Sequence, residues 1–395
     1  MAASTKASVL GPCARRRADA IGWLGWVAGT VALLASSACS LVGATPPDDG
    51  GRLAQLERRC HAGTARACAE WAYAFERGDG VEEDLDRARS LYERGCALGD
   101  GVACTSVGML HERGRGVPTD SAKALRWYRR ACTLEDMVGC NNVGVAFERG
   151  RGTARDDRRA AESYQHACDG NGMVGCANLG MMFERGRGVT RDLAAAFELY
   201  ATACAGGEMR GCTNLAVLHE HGKGTTESPT EAAALYRRAC DREHYLACNH
   251  LGSLHERGRG VPLDEARAAS LFQRACDGGE MVGCANLGAL VATGRGIEAD
   301  VPRAIELYRR ACEGGSMLGC TNLGTAYARG RGVEPDIDRA VELYGRACDR
   351  GHALGCHNLG IMLASGTGVT RDHVRAGSLF ARACDGGIEE ACSGP

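Results

Sequence analysis

Apolar residues recur along this chain in two alternating helical registers. In the segment CDGGEMVGCANLGALVATGRGIEADVPRAIELYRRA, which runs from Cys276 to Ala311, Cys284, Leu287, Gly288 and Val291 stand at i, i+3, i+4 and i+7. That spacing is one face of a helix. Ala304, Leu307, Tyr308 and Ala311 repeat it and predict a second helix. Between the two lies Gly-x-Gly, present in every full unit from Gly78 and Gly80 to Gly366 and Gly368, which suits a left-handed helix stop followed by a tight turn. The second helix then receives a start signal. Asp84, Asp120, Asp156, Asp192, Asp264, Asp300, Asp336 and Asp372 occupy the N-cap position, and Ser228 with Pro229 and Glu231 forms a capping box in the odd unit. Nothing in the period alternates as a strand does.

The unit is 36 residues long and recurs without a slip, whereas a length of 395 residues alone would suggest two or three globular domains. A fixed period of this size predicts one elongated array. The expected fold is therefore all-α, an α/α solenoid superhelix of about nine helix-turn-helix repeats over residues 52–392. Glycine, at 56 residues, and an aromatic content of only 5% fit thin interfaces of small side chains.

The cysteines follow the same period. Of 22, twenty form ten pairs with seven residues between partners: Cys60 and Cys68, Cys96 and Cys104, Cys132 and Cys140, Cys168 and Cys176, Cys204 and Cys212, Cys240 and Cys248, Cys276 and Cys284, Cys312 and Cys320, Cys348 and Cys356, Cys384 and Cys392. Each pair joins the end of one second helix to the start of the next first helix, where antiparallel helix ends bring α-carbons within the roughly 4.4–6.8 Å of a disulfide. Ten local disulfides are expected. Zinc is the weaker reading, because paired zinc ligands usually stand two to four residues apart. No metal is expected.

The motifs G-C-x-N-L-G, G-x-G-V and D-x-x-x-A-x-x-L-Y resemble those of Sel1-like repeats, relatives of the tetratricopeptide repeats, and the regular cysteine pairs resemble the cysteine-rich bacterial branch of that family. The resemblance implies an exported, disulfide-bridged superhelix that binds other proteins. Some members of that branch are described as β-lactamases or penicillin binders, which makes a secreted hydrolase the alternative reading.

The N-terminus reads as a route out of the cytoplasm. Arg15, Arg16 and Arg17 precede an uncharged stretch with an apolar heart from Ile21 to Ala35, the layout of a secretory signal. Three processings are open. Cys39 is acylated as in a lipoprotein, or an ordinary peptidase cuts before it, or Ile21 to Ala44 stays as an uncleaved anchor long enough to span a bilayer. Residues 1–38 are taken as the export signal and 39–51 as a linker. Ten disulfides independently require an oxidising compartment, so the protein is expected in the periplasm, at the outer membrane or secreted.

Candidate chemistry is sparse. With 47 basic against 49 acidic side chains and a net charge of -2, no basic field marks a nucleic-acid binder. Lysine occurs only at Lys6, Lys123 and Lys223, none preceded at three residues by serine, and no Gly-x-Ser-x-Gly elbow exists. No catalytic residue and no cofactor are expected. His111, His219 and His255 occupy a first-helix slot that holds Phe75, Phe147 or Phe183 elsewhere, and core filling outweighs a metal reading of His219-Glu220-His221. What remains is a surface. Asn142, Asn178, Asn214, Asn286, Asn322 and Asn358 share position 11 of the unit, which in the tetratricopeptide relatives faces the concave side and meets ligand peptides. An amide offers a donor and an acceptor to a peptide backbone. Tying adjacent repeats together is the competing role. Glu112, Glu148, Glu184, Glu220 and Glu256 line the end of the first helices in the N-terminal two thirds, where later units carry Ala292, Ala328 and Ala364. They are expected to form an acidic edge toward a basic or polar partner.

Overall fold

The structure is a computed structural model, and it describes residues 49–393. A leading helix, Asp49–His61, precedes nine pairs of helices, from Ala65–Arg77 with Leu85–Ala97 to Ala353–Ser365 with His373–Asp385, and a stub, Glu389–Cys392, closes the array. Each of the paired helices has 13 residues, and the described residues contain no strand. The architecture is the expected all-α solenoid of helix-turn-helix repeats. Every first helix packs on the second helix of its own repeat and on those flanking it. Successive first helices also touch one another, whereas no comparable contact joins successive second helices, so the first helices form the inner side of the stack.

Local chemistry sets the helix ends. The Asp84 carboxylate accepts from the Arg87 amide at 2.8 Å, the same bond recurs from Asp120 to Lys123, and Ser228 accepts from Glu231. Each first helix stops at a left-handed glycine such as Gly150, φ 65°. The glycine two positions further on also has positive φ, and a Cβ on Gly152 would lie 2.2 Å from the Ser121 carbonyl oxygen of the preceding repeat. No other residue fits there.

The core explains the Leu-Gly pair of the first helix. Gly108, Gly144 and Gly180 each lie under a tyrosine of the same repeat's second helix, Tyr128, Tyr164 and Tyr200, so close that a Cβ on Gly144 would meet the Tyr164 ring at 2.5 Å. Tyr164, Tyr200 and Tyr236 are completely buried. A bare helix surface thus lets a large ring fill the gap between two helices.

All ten expected disulfides are formed, each between half-cystines eight positions apart, with Cα–Cα distances from 4.4 to 4.8 Å. Beside them runs an arginine rung. In the last turn of most second helices an arginine reaches back to the carbonyl of the preceding repeat's first half-cystine, as Arg238 does to Cys204 at 2.9 Å and Arg310 to Cys276 at 2.8 Å. It adds a second donor to a helix-end carbonyl that already accepts a turn amide, as Cys204 does from Gly207 at 3.0 Å.

Candidate binding face

The inner face of the first helices is built from four positions, i, i+4, i+7 and i+11. The first of them is aliphatic and exposed: Val102, Val138, Val174, Leu246, Val282 and Leu354 repeat at multiples of 36 residues, with 37–57% of their surface open. Arg66, Arg210 and Leu318 occupy the remaining units. The second position is the asparagine row. The third is again mainly apolar, with Met109, Val145, Met181 and Val217, and the fourth is basic, with Arg113, Arg149, Arg185 and Arg257. Near the N-terminal end this face opens into a cleft of about 200 Å³ lined by Arg66, Glu70, Tyr73, Val102 and Ser106 among others.

The asparagines divide by environment. Asn178 is buried and donates to Asn141 of the preceding repeat at 2.8 Å, and Asn286 donates to Asn249 at 2.9 Å. Those two amides tie repeats together. Asn142, Asn214, Asn322 and Asn358 are half-buried and make no amide-to-amide bond between repeats, although Asn214 hydrogen-bonds the Tyr200 hydroxyl of the preceding repeat. Asn322 lines a small cleft with Tyr308, Thr325 and Arg329. Where position 10 is threonine, a different tie forms: Thr105 donates to Asp136, and Thr213 and Thr321 bond the Nδ1 atoms of His244 and His352 at 2.9 and 3.0 Å.

The glutamates border the inner face and belong to a ladder. Glu112 accepts from the Tyr128 hydroxyl at 2.7 Å and pairs with Arg151 of the next repeat at 3.0 Å. Glu148 does the same with Tyr164 and Arg187, and Glu220 with Tyr236 and, more loosely, Arg259 at 3.7 Å. Glu256 faces Phe272 and retains only its arginine, Arg295, at 2.9 Å. Glu184 has Tyr200 but, with Lys223 where other repeats carry arginine, is the one ladder glutamate among the described residues without an ion pair. Burial, reinforced by the neighbouring glutamate, pushes the Tyr128, Tyr164 and Tyr200 hydroxyls far above the usual tyrosine range, so they remain neutral donors. The tyrosine stands 16 positions after every ladder glutamate except Glu256, a correlation that helical periodicity does not expose.

The histidines fill core slots. His111 and His255 are buried, and His219 meets the Phe197 ring edge-on at 5.2 Å. Burial lowers the pKa of His111, His244, His250 and His352 below the ordinary 6.5. Their folded-state pKa values lie below the unfolded ones, so the stability they contribute is complete above about pH 6.5 and is lost as pH falls through that range. Melting curves between pH 7.5 and 5 should show the midpoint falling with acidification, with the steepest part below 6.5. A flat profile would mean these imidazoles charge without cost.

One group of three metal-capable side chains gathers among the described residues: Cys132, Cys140 and His166. Two of its members are joined in a disulfide, which leaves no thiolate for a metal. Cys39, the expected lipidation site, lies outside the described residues, as does the export signal. No helix among the described residues is long and apolar enough to cross a membrane.

A stack of short helix pairs, bridged at every junction and presenting one regular inner face, defines a disulfide-stapled helical-repeat protein. The chain belongs to the Sel1 repeat family, whose profile matches nine times over residues 65–100, 101–136, 138–171, 174–208, 210–244, 246–280, 282–316, 318–352 and 353–388. It is similar to a protective antigen of uropathogenic Escherichia coli with an SLR fold, at 25% identity and a TM-score of 0.60 over 86% of this chain and 80% of that one. A Sel1 repeat protein from Oxalobacter formigenes shares the fold at 22% identity and a TM-score of 0.55, covering 62% of this chain and 96% of its own. No match among curated proteins is found. Sel1 repeats are protein-interaction scaffolds, typically without enzymatic activity. The ten disulfides point to an oxidising, extracellular or periplasmic environment.

Proposed function

We propose that this protein is an exported scaffold of the bacterial cell envelope that holds an extended peptide segment of a partner protein along the inner face of its first helices. The export signal in residues 1–38 carries it out of the cytoplasm, and a lipid on Cys39 keeps it at the membrane. The observation that carries the reading is the row of six exposed aliphatic side chains, Val102 to Leu354, in register with the asparagine row. Aliphatic side chains exposed in register along one face, interrupted by Arg210 between Val174 and Leu246, are a repeated apolar surface of the kind that favours an interaction site. Amides between two apolar rows suit a ligand whose backbone needs polar partners and whose side chains need apolar ones. Asn142, Asn214, Asn322 and Asn358 are the amides available to a ligand, with Asn178 and Asn286 also serving the stack. Glu184 supplies an unpaired carboxylate at the edge, beside glutamates 112, 148, 220 and 256 whose charge is matched by arginine.

Replacing Asn142 and Asn322 together by Ala is expected to weaken partner binding about tenfold while leaving the melting point within a degree or two, since neither ties repeats. Replacing Asn178 and Asn286 should lower the melting point. Titration calorimetry with the captured partner and parallel melting curves separate the two. Unchanged binding in the first variant would remove the asparagine row from the ligand site.

A further inference from the structure

One disulfide differs from the other nine. The arginine in the last turn of the second helix covers the preceding junction at seven places, and the first half-cystine there is buried: Cys60, Cys96, Cys204, Cys240, Cys276, Cys312 and Cys348 are at most 3% exposed. The covering contacts run from Arg94 to the His61 carbonyl and from Arg130, Arg238, Arg274, Arg310, Arg346 and Arg382 to the half-cystine carbonyls. In repeats 3 and 4 that arginine is replaced by His166 and Thr202. Cys132 and Cys168, the half-cystines they should cover, are correspondingly part-exposed, as is Cys384, which no following repeat covers. Only at Cys132 does the substitution add chemistry. His166 is itself exposed and holds Nδ1 3.7 Å from Cys132 Sγ, whereas Thr202 turns back to the Glu198 carbonyl at 2.9 Å.

We propose that Cys132–Cys140 is a thiol-exchange site, opened by a dithiol with His166 as the proton acceptor. The incoming thiol passes its proton to the imidazole, and its sulfur attacks Cys132 Sγ along the open side of the bond. The Cys132–Cys140 bond breaks, a mixed disulfide forms on Cys132, and Cys140 leaves as a thiolate that takes the proton from the imidazolium, whose ring lies within 4.8 Å of both sulfurs. The reagent's second thiol then passes its proton to the freed imidazole and attacks the reagent sulfur of the mixed disulfide. Cys132 is released as a thiolate facing the imidazolium, the dithiol is oxidised to its own disulfide, and the junction is reduced by two electrons. Attack at Cys132 is also the sterically open course, because Cys140 is fully buried. Thiolate formation and a stabilised leaving sulfur are what set exchange rates.

The fully oxidised native chain, treated with limiting dithiothreitol and quenched with N-ethylmaleimide over a time course, reports the order of opening by peptide mapping. The account predicts label at Cys132 and Cys140 on the order of tenfold or more faster than at Cys168 and Cys176, which share the exposure and lack the imidazole. His166→Ala should drop the pair to the Cys168–Cys176 rate, His166→Arg should move it among the seven covered junctions, and Thr202→His should make Cys168–Cys176 fast. Circular dichroism confirms that each variant retains its helices. Equal rates for Cys132–Cys140 and Cys168–Cys176 in the unmodified protein, or a fast Cys132–Cys140 in His166→Ala, would overturn the proposal.

Discussion

Complete reduction is expected to lower the melting temperature by roughly 30 °C. Each disulfide closes a nine-residue ring and contributes about 2.5 kcal/mol by the chain-entropy model. In a solenoid this loss is not diluted, because stability is a sum over repeats and junctions and every repeat loses one staple. A 36-residue unit unfolds with an entropy of about 0.075 kcal/mol/K, so about 2.5 kcal/mol per unit corresponds to roughly 30 °C. The interfaces left behind are thin, lined by Ala88, Ala103, Ala131, Ala160, Ala167 and their equivalents. Melting curves with and without excess reductant, followed at 222 nm, measure the shift. A change of only a few degrees would show that the helix stack holds itself and that the bridges serve another purpose.

The second large effect comes from a single methyl group. Gly144→Ala is expected to cost about 2 kcal/mol, because the new Cβ would stand 2.5 Å from the Tyr164 ring, and that ring is completely buried with its hydroxyl fixed on Glu148. The gain in helix propensity, about 1 kcal/mol, is smaller than the overpacking it causes. Gly345 provides the control, since it lies in the second helix Ile337–Asp349 with nothing within 4 Å of a would-be Cβ. There the same substitution should stabilise by about 0.5–1 kcal/mol. Chemical denaturation of both variants reads the two signs, and a neutral Gly144→Ala would mean the tyrosine can withdraw.

Much of the architecture was legible because it is local and repeated. The i, i+3, i+4 pattern, the aspartate caps, the glycine stops and the cysteine spacing each act within a few residues, and nine copies make each signal plain. The ladder was not legible in that way. Its arginine lies 39 residues beyond its glutamate, in the turn of the next repeat, and its tyrosine 16 beyond, on the second helix of its own repeat, so its members appear in the sequence as three unrelated stripes. A glutamate in the last turn opposes the helix dipole, and arginine offsets it from the next repeat's turn, as Arg151 does for Glu112 and Arg187 for Glu148. The aliphatic row escaped notice because one exposed valine per repeat looks ordinary until the stack aligns them. The asparagine row shows the opposite case: one stripe in sequence, two environments in space. Asn178 and Asn286 find a position-10 asparagine in the preceding repeat, whereas Asn214 and Asn322 find Ala177 and Ala285 there and Asn142 and Asn358 find Thr105 and Thr321.

In the proposed complex the first helices, not the second, meet the partner. Site-specific photocrosslinking tests it directly. A benzophenone side chain placed singly at Val138, Val174 or Val282 on the inner face, and at Glu162, Glu198 or Glu306 on the second helices, is irradiated in cells that export the protein. The account predicts discrete adducts of one shared partner from the three valine positions and none from the glutamate positions. Adducts confined to the second helices, or formed equally from both sets, would contradict it.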